Sequence, residues 1–152
     1  MSISTEREGH TYEAAQPYQV SREAIREFAA SVKARGSAHT DPEAAVALGH
    51  ADLVAPPTFA VLVAQRAEAS VVSDPAAGID FSRVVHAEER FTHHAPITAG
   101  ETLTGQTTLE RIRVMGGGAM VTTVTEITNQ DGEAKSTVTS SLLVRADDEE
   151  AA

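Results

Sequence analysis

The sequence predicts an α+β domain in which a long antiparallel sheet curves around one helix. The first half of the 152-residue chain has helical patterns, whereas the second half has long runs rich in Val, Thr and Ile. Between them, residues 59–72 are apolar around most of a helical circumference. A helix that is apolar on most sides must be enclosed, so we expect the strand-rich half to wrap it.

The first helix follows a short predicted strand at residues 18–20. Ser21 is placed to cap it, because a serine oxygen accepts a hydrogen bond from a free backbone N–H of the first turn. Ile25, Phe28, Ala29 and Val32 recur at helical spacing and form one apolar stripe. Gly36 is the expected end of this helix.

A second, shorter helix is predicted to begin at Thr40. Thr40 would be its N-cap, Pro42 lies in the first turn, and Glu43 would complete a capping box. Gly49 is the expected C-terminal stop.

The third helix is the one that the sheet should enclose. Pro56 and Pro57 interrupt the preceding segment, and Thr58 is the predicted N-cap of a helix over residues 59–72. Because its apolar residues are spread widely, we expect it to be buried on most sides.

Four strands are predicted over residues 84–94, 103–115, 119–129 and 133–145. The turn signals at 116–118 and 129–132 predict that the last three form an antiparallel meander. Several runs have about eleven residues, longer than the usual ~5–6, which indicates a strongly curved sheet. A curved sheet around one helix is the hotdog architecture.

Composition excludes several classes of function. The chain has no Cys, so it has no disulfide, thiolate metal site or Cys nucleophile, and its net charge of −10 argues against nucleic-acid binding. Residues 1–9 are polar and no segment reaches the ~20 apolar residues of a membrane span, so we expect a cytoplasmic protein without a membrane partner. We expect residues 1–16 to be an extension, 17–146 a single domain and 147–152 an acidic tail.

Several segments, taken in order, carry a resemblance to a known family. Residues 40–45, 48–49, 55–59, 85–91 and 96–101 resemble the MaoC-like dehydratases, and most closely the branch that contains the substrate-binding subunit of actinobacterial heterodimeric 3-hydroxyacyl-carrier-protein dehydratases. The likeness extends over about residues 18–145. It implies the hotdog fold, a thioester substrate on an acyl carrier protein or coenzyme A, no cofactor or metal, and a second hotdog subunit, in a heterodimer or alternatively a homodimer.

The resemblance also places a catalytic loop. Complete members carry Gly-Asp-x-Asn-Pro-(apolar)-His, in which Asp and His form the acid/base pair and Asn holds substrate or water. This loop falls on residues 33–39, so that His39 matches the catalytic His, Ala34 the Asp and Gly36 the Asn. One positioned acid or base contributes about 10²–10⁴-fold to a rate. We therefore expect a partner subunit to supply the intact pair.

Further site residues follow from the start of the third helix. Free backbone N–H groups at Thr58 and Phe59 can polarise a thioester carbonyl, as the resemblance implies for this helix end. Phe59, Leu62 and Val63 are expected to line an acyl tunnel. His86 is a candidate substrate contact.

Each of these residues also has an ordinary structural interpretation. His39 is either in a working pocket or at the surface beside a capped turn, Thr58 is compatible with simple capping, and His86 either meets substrate or only satisfies a neighbouring group. His93 and His94 are adjacent strand residues and should point to opposite faces, so we predict no metal site there. Residues 116–118 lack the strand-to-helix context of a phosphate loop.

Three functions remain open. The first is a subunit of a 3-hydroxyacyl-thioester dehydratase or enoyl hydratase in fatty-acid or polyketide chain building. The second is a non-catalytic acyl-binding or scaffold protein. The third is a hotdog thioesterase, isomerase or cyclase that uses His39. A thioesterase would need a carboxylate on the central helix, and Glu68 is the one candidate there. Glu68 lies nearly three turns beyond Thr58, which is too deep in the helix for the thioester site.

Overall fold

The computed structural model describes residues 3–146, in which three α-helices accompany a five-stranded antiparallel sheet. The helices are α1 Arg22–Ser31, α2 Pro42–Ala47 and α3 Ala60–Val72, and the strands are β1 Tyr18–Gln19, β2 Val84–His93, β3 Thr102–Met115, β4 Gly118–Thr128 and β5 Ala134–Arg145. The curled sheet packs against α3, which confirms the predicted α+β architecture. The predicted acidic tail lies outside the described residues.

The strand order in the sheet is β1-β3-β4-β5-β2. The last three strands form the predicted meander through turns at 116–117 and 129–133, and β2 pairs with the far side of β5. Burial alternates along β4 and β5, as expected for strands with one face against a core. The strand predictions are therefore confirmed to within a few residues at each end.

The central helix is buried along one face rather than on most sides. Its buried residues recur at helical spacing: Ala60, Val63, Ala64, Ala67, Glu68 and Val71. Gly105 of β3 lies directly beneath, where an added Cβ would be only 3.1 Å from the Ala67 methyl group. Val61 and Leu62 are half-buried and Arg66 is exposed, so the prediction of near-complete burial is wrong for this chain, because its own sheet covers one side only. Between residues 3 and 146, no helix is both long enough and apolar enough to cross a membrane.

The predicted start of α1 is correct, but its predicted end is not. Ser21 caps the helix as predicted, accepting a hydrogen bond from the Ala24 N–H at 3.0 Å. The helix ends at Ser31 and not near Gly36, because Lys33 takes the left-handed conformation with φ 58°. Its N–H donates to Ala30 O at 3.2 Å, which closes the helix in the manner usual for glycine.

This placement of Lys33 has an energetic cost. A left-handed conformation costs an L-residue about 1–2 kcal/mol, and glycine avoids that penalty. A cation beside the C-terminus of a helix recovers about 0.3–1 kcal/mol at an exposed site. Helix stability alone therefore favours glycine over lysine at position 33.

The other two helices begin differently from the prediction. Asp41 and not Thr40 caps α2, because the Asp41 carboxylate accepts from the Glu43 N–H at 3.0 Å. Gly49, with φ 92°, ends α2 as predicted. Thr58 is not the cap of α3: it lies inside the 3₁₀ turn Pro57–Phe59, and no side chain caps the helix that follows.

A polar layer divides the core into two apolar clusters. One cluster surrounds Phe59 near the start of α3, and the other surrounds Val71 near its end. The layer between them takes one or two residues from every element that crosses it: Glu68 of α3, Thr107 of β3, Thr123 and Thr125 of β4, Ser140 of β5, and His86 and Glu89 of β2. Its buried hydroxyls are hydrogen-bonded, as in the 2.7 Å contact between Thr107 and Thr125.

The segment before β1 covers one edge of the sheet. The N–H groups of Gly9, Tyr12 and Ala15 donate to carbonyls of β3 at 2.7, 2.9 and 2.9 Å, and Tyr12 is buried in the second cluster. Within the described part of the chain, β2 at the opposite side is the long edge strand without a strand on its outer side.

Candidate functional site

His39 has a fixed orientation at the end of a 3₁₀ turn over Ser37–His39. Its ring is half-buried, and Nδ1 lies 2.6 Å from the carbonyl oxygen of Val54. A carbonyl can only accept, so Nδ1 carries the hydrogen and donates it. In the neutral ring this leaves Nε2 with a free lone pair, which is the state that a general base requires.

The other two positions of the loop carry no polar side chain. A Cβ added to Gly36 would be 3.4 Å from both Cδ2 and Nε2 of His39, so residue 36 borders the basic edge of the imidazole. Ala34 is half-buried and offers only a methyl group. The site therefore has a positioned base and, from these two residues, neither a carboxylate nor an amide.

The carbonyl that orients His39 belongs to a rigid segment. The Val54 N–H donates to Ala38 O at 3.0 Å, and the Ala55 N–H donates to Ile97 O at 2.8 Å. The Ala99 N–H in turn donates to Leu53 O at 2.9 Å. Residues 53–55 are thus held between the His39 loop and the loop that precedes β3.

A buried ion pair fixes that second loop. Lys135 is 4% exposed, and its Nζ lies 2.9 Å from Glu101, which also accepts from the Thr98 N–H at 2.8 Å and from the Asn129 amide at 3.0 Å. Burial by itself raises the pKa of Glu101, but the hydrogen bonds from Thr98, Asn129 and Lys135 together hold it below its usual value. Glu101 therefore stabilises the fold as a carboxylate.

The structure separates the four residues predicted at the start of α3. Thr58 is exposed, Leu62 is half-buried, and Phe59 and Val63 are 0% and 3% exposed in the first cluster. The Phe59 ring makes an edge contact with Phe28, with 5.4 Å between the ring centroids. Of these four, Thr58 and Leu62 are the ones that present surface.

A cavity of about 330 Å³ lies beside the beginning of α3. It is lined by Val54, Ala55, Pro56, Pro57, His93, His94, Ala95, Pro96 and Ile97. Because Val54 both lines this cavity and holds His39, the cavity adjoins the imidazole site. Its mostly apolar wall with a few polar groups is typical of a small-molecule pocket.

His93 and His94 point to opposite faces of the sheet, as predicted. His93 Nδ1 lies 3.2 Å from the hydroxyl of Ser136 on the buried face, whereas His94 Nε2 lies 2.9 Å from the hydroxyl of Thr137 on the outer face. Residues 3–146 contain no group of three or more His, Cys, Asp or Glu side chains suited to hold a metal ion.

His86 lies in the polar layer rather than beside His39. A β-bulge leaves Ala87 without a partner, so His86 and Glu89 face the same side of β2. His86 Nε2 is 4.0 Å from Glu68, whose other oxygen accepts from the Thr123 hydroxyl at 2.7 Å.

Glu89 is expected to destabilise the fold at neutral pH. Burial raises the pKa of Glu89, and the nearby charge of Glu68 raises it further. The 2.9 Å hydrogen bond from the Ser140 hydroxyl lowers this pKa but does not cancel the effect of burial. A carboxyl group with a raised pKa favours folding while protonated, and that contribution is lost as pH rises through the raised value. We expect Glu89→Gln to raise the free energy of unfolding at pH 7.5 by no more than about 1 kcal/mol, because solvent screens this half-buried carboxyl, with little change at pH 4. Urea unfolding at both pH values checks this, and parallel pH profiles for the two proteins would contradict it.

Two features of the site are absent from the sequence prediction. The Val54 carbonyl that sets the His39 tautomer is a backbone group, for which side-chain patterns give no signal. The polar layer does leave a signal, because Glu68 occupies the buried spacing of α3 among apolar residues.

Comparison with known proteins identifies the family. Residues 7–138 match the family model described as FAS1-like, dehydratase domain region. The UPF0336 protein of Clavibacter michiganensis subsp. michiganensis is 44% identical over 148 residues, which is 97% of this chain and 99% of that protein. The UPF0336 protein of Saccharopolyspora erythraea is 44% identical over 137 residues, 90% and 88% of the two chains.

Solved structures agree with this match. A MaoC-like dehydratase is 33% identical with a TM-score of 0.86 over 95% of this chain, which spans 44% of that longer chain. The C-terminally truncated HadBC complex of Mycobacterium tuberculosis, a (3R)-hydroxyacyl-ACP dehydratase, is 30% identical with a TM-score of 0.82 and coverage of 91% and 98%. The chain therefore belongs to the FAS1-like dehydratase-region family and has the hotdog fold of MaoC-like dehydratases.

Proposed function

We propose that this chain is the acyl-binding subunit of a dehydratase or enoyl hydratase for 3-hydroxyacyl thioesters, and that a second hotdog subunit supplies the complete Asp/His pair. The thioester would be carried by coenzyme A or an acyl carrier protein, in fatty-acid or polyketide chain building. One observation carries the proposal. His39 is oriented as a base, yet Ala34 occupies the position of the Asp that would complete the pair, and Gly36 occupies the position of the Asn.

The chemistry explains why a partner is needed. Dehydration removes a proton from the α-carbon and expels the 3-hydroxyl group, which leaves readily only when it is protonated. Nε2 of His39 can accept one proton, but neither Ala34 nor Gly36 can deliver one. A partner that carries both groups would supply the missing acid, while this chain would contribute the binding surface and the His39 base.

Two structural features support such an assembly. No strand between residues 3 and 146 pairs with the outer edge of β2, and edges of this kind are ready templates for a strand from another chain. HadBC, which is 30% identical to this chain, is itself a complex. Between two hotdog subunits, the exposed Thr58 and the half-buried Leu62 would contact substrate.

The same vacant positions favour one alternative, a non-catalytic acyl-binding or scaffold protein. In that case the His39 ring would shape the pocket without exchanging a proton. A thioesterase based on Glu68 has less support, because this carboxylate is 4% exposed and accepts the Thr123 hydroxyl beneath α3.

The proposal is tested by assaying hydration of a crotonyl thioester with the chain alone, with a hotdog subunit that carries an intact Asp-x-Asn-Pro-x-His loop, and with both together. We expect substantial activity only when both are present. Rapid turnover by the isolated chain, persisting after a second purification step and absent from a His39→Ala preparation, would show that no partner is required.

A further inference from the structure

The loop that leads to His39 carries positive charge on an otherwise acidic protein. Lys33 and Arg35 flank Ala34, and both side chains are exposed. The whole chain has a net charge of −10. Within residues 3–146, neither of these two cations forms an ion pair with a carboxylate, although acidic residues outnumber basic ones by 22 to 12 in the sequence.

Neighbouring cations on the same side of the molecule are neutralised. Arg22 forms a bidentate ion pair with Asp52, in which the shortest N–O distance is 2.8 Å, and Arg26 forms an ion pair with Glu23. Unlike Arg22 and Arg26, Lys33 and Arg35 have no carboxylate partner among the described residues, and they immediately precede the turn that holds the imidazole.

Lys33 is held in an unfavourable conformation. Among the described residues it is the one non-glycine residue with positive φ, at 58°. Glycine would end α1 with less strain, and the benefit of a cation at the helix end is smaller than the strain. Strained residues of this kind cluster at binding and catalytic sites, where function and not stability determines the residue type.

The position of this pair relates it to the candidate site. Gly36, the next residue after Arg35, lies against the His39 ring. The two long side chains thus stand on the rim of the site and not at its reacting centre. A group that meets them would be joined to the reacting thioester by a long arm.

We propose that Lys33 and Arg35 bind the phosphate of the 4′-phosphopantetheine arm that carries the acyl thioester. This inference rests on the proposed thioester chemistry. A phosphate ester is small and anionic: the Lys33 ammonium offers a point charge, and the Arg35 guanidinium offers paired N–H donors. Two cations are sufficient for one phosphate, whereas a broad acidic protein surface would be repelled by the rest of this chain.

The test compares two ligands that differ only in the phosphate. Crotonyl-4′-phosphopantetheine and crotonyl-pantetheine are titrated into the assembled two-subunit complex by calorimetry, and kcat/KM is measured for both. We expect the phosphate to improve binding by on the order of tenfold at low salt, since each contact is an exposed charge-assisted hydrogen bond. In a Lys33→Gly/Arg35→Ala complex this preference should fall to about one.

Lys33→Gly suits the left-handed position, so the variant retains the end of α1. The control is Arg111→Ala/Arg113→Ala, which removes the same charge from exposed residues of β3 and should leave the preference intact. An unchanged preference in the Lys33/Arg35 variant would overturn the inference. So would a loss of activity confined to acyl carrier protein substrates, which would assign the pair to the carrier's protein surface.

The binding measurement keeps this inference separable from the proposed function. A phosphate preference that depends on Lys33 and Arg35 in a complex without turnover would support the phosphate site and refute the dehydratase. Turnover without any phosphate preference would support the dehydratase and refute the phosphate site.

Discussion

Replacing His39 with alanine in the assembled complex is expected to lower kcat/KM for a crotonyl thioester by about 10²–10⁴-fold, because the ring is positioned to exchange a proton. The Val54 carbonyl holds Nδ1–H, so Nε2 is the nitrogen available for that exchange. Steady-state hydration kinetics of the assembled complex measure the effect.

Two further variants separate chemistry from structure. His39→Asn keeps an N–H donor near the Nδ1 position, so it can still bond to Val54 O, but it lacks Nε2. It should lose as much activity as His39→Ala. His50→Ala removes a histidine outside the proposed site and should have no effect. Wild-type rates with both His39 variants would leave the chain an acyl-binding subunit without a catalytic histidine.

Lys135→Met is expected to destabilise the protein by about 1.5–3 kcal/mol, because it removes the ammonium from a half-buried Glu101 carboxylate that keeps its hydrogen bonds from Thr98 and Asn129. Lys135 is 4% exposed and its ammonium lies 2.9 Å from Glu101. Because the pKa of Glu101 is lowered in the fold, its stabilising contribution is present above the unfolded value of about 4.3 and is lost as pH falls through the folded value. The difference between the two proteins in urea unfolding should therefore shrink in acid.

A double variant is the control for this ion pair. Lys135→Met/Glu101→Gln removes both charges and keeps an acceptor for the Thr98 N–H, so it should recover much of the lost stability. Equal destabilisation by the single and double variants would mean that packing of the Lys135 side chain, and not its charge, is responsible.

The extent of the strands could be read from the sequence because two local signals agree there. The run of Val, Thr and Ile in β4 predicts a strand, and the glycines at 116–118 permit the tight turn before it. Both signals act over a few residues, and the structure retains them.

Helix ends were harder to predict because several residues can serve the same purpose. Thr40 and Asp41 are both competent caps, and the structure uses Asp41. Gly36 is the obvious left-handed residue after α1, yet Lys33 takes that conformation three positions earlier. In both places the local preference is worth about 1 kcal/mol, which tertiary contacts readily override.

The candidate site was predictable as far as the identity of one side chain. His39 is found from its place in the loop, but its tautomer depends on a carbonyl fifteen residues away. The contact between Glu68 and His86 depends on a bulge at Ala87 that has no composition signal. Such pairs are distant in the chain and arise only when the sheet has formed.

The uncovered edge of β2 has a practical consequence for handling the protein. A ten-residue edge strand is a hazard for aggregation, because chains can join through it in place of the correct neighbour. The bulge at Ala87 and the exposed charges of Glu88 and Arg90 reduce that risk by making a regular strand pairing less favourable. If β2 is the assembly edge, co-expression with the second subunit should increase the recovered yield of dispersed protein. Charge-neutralising changes at Glu88 and Arg90 should make the chain produced alone precipitate more readily.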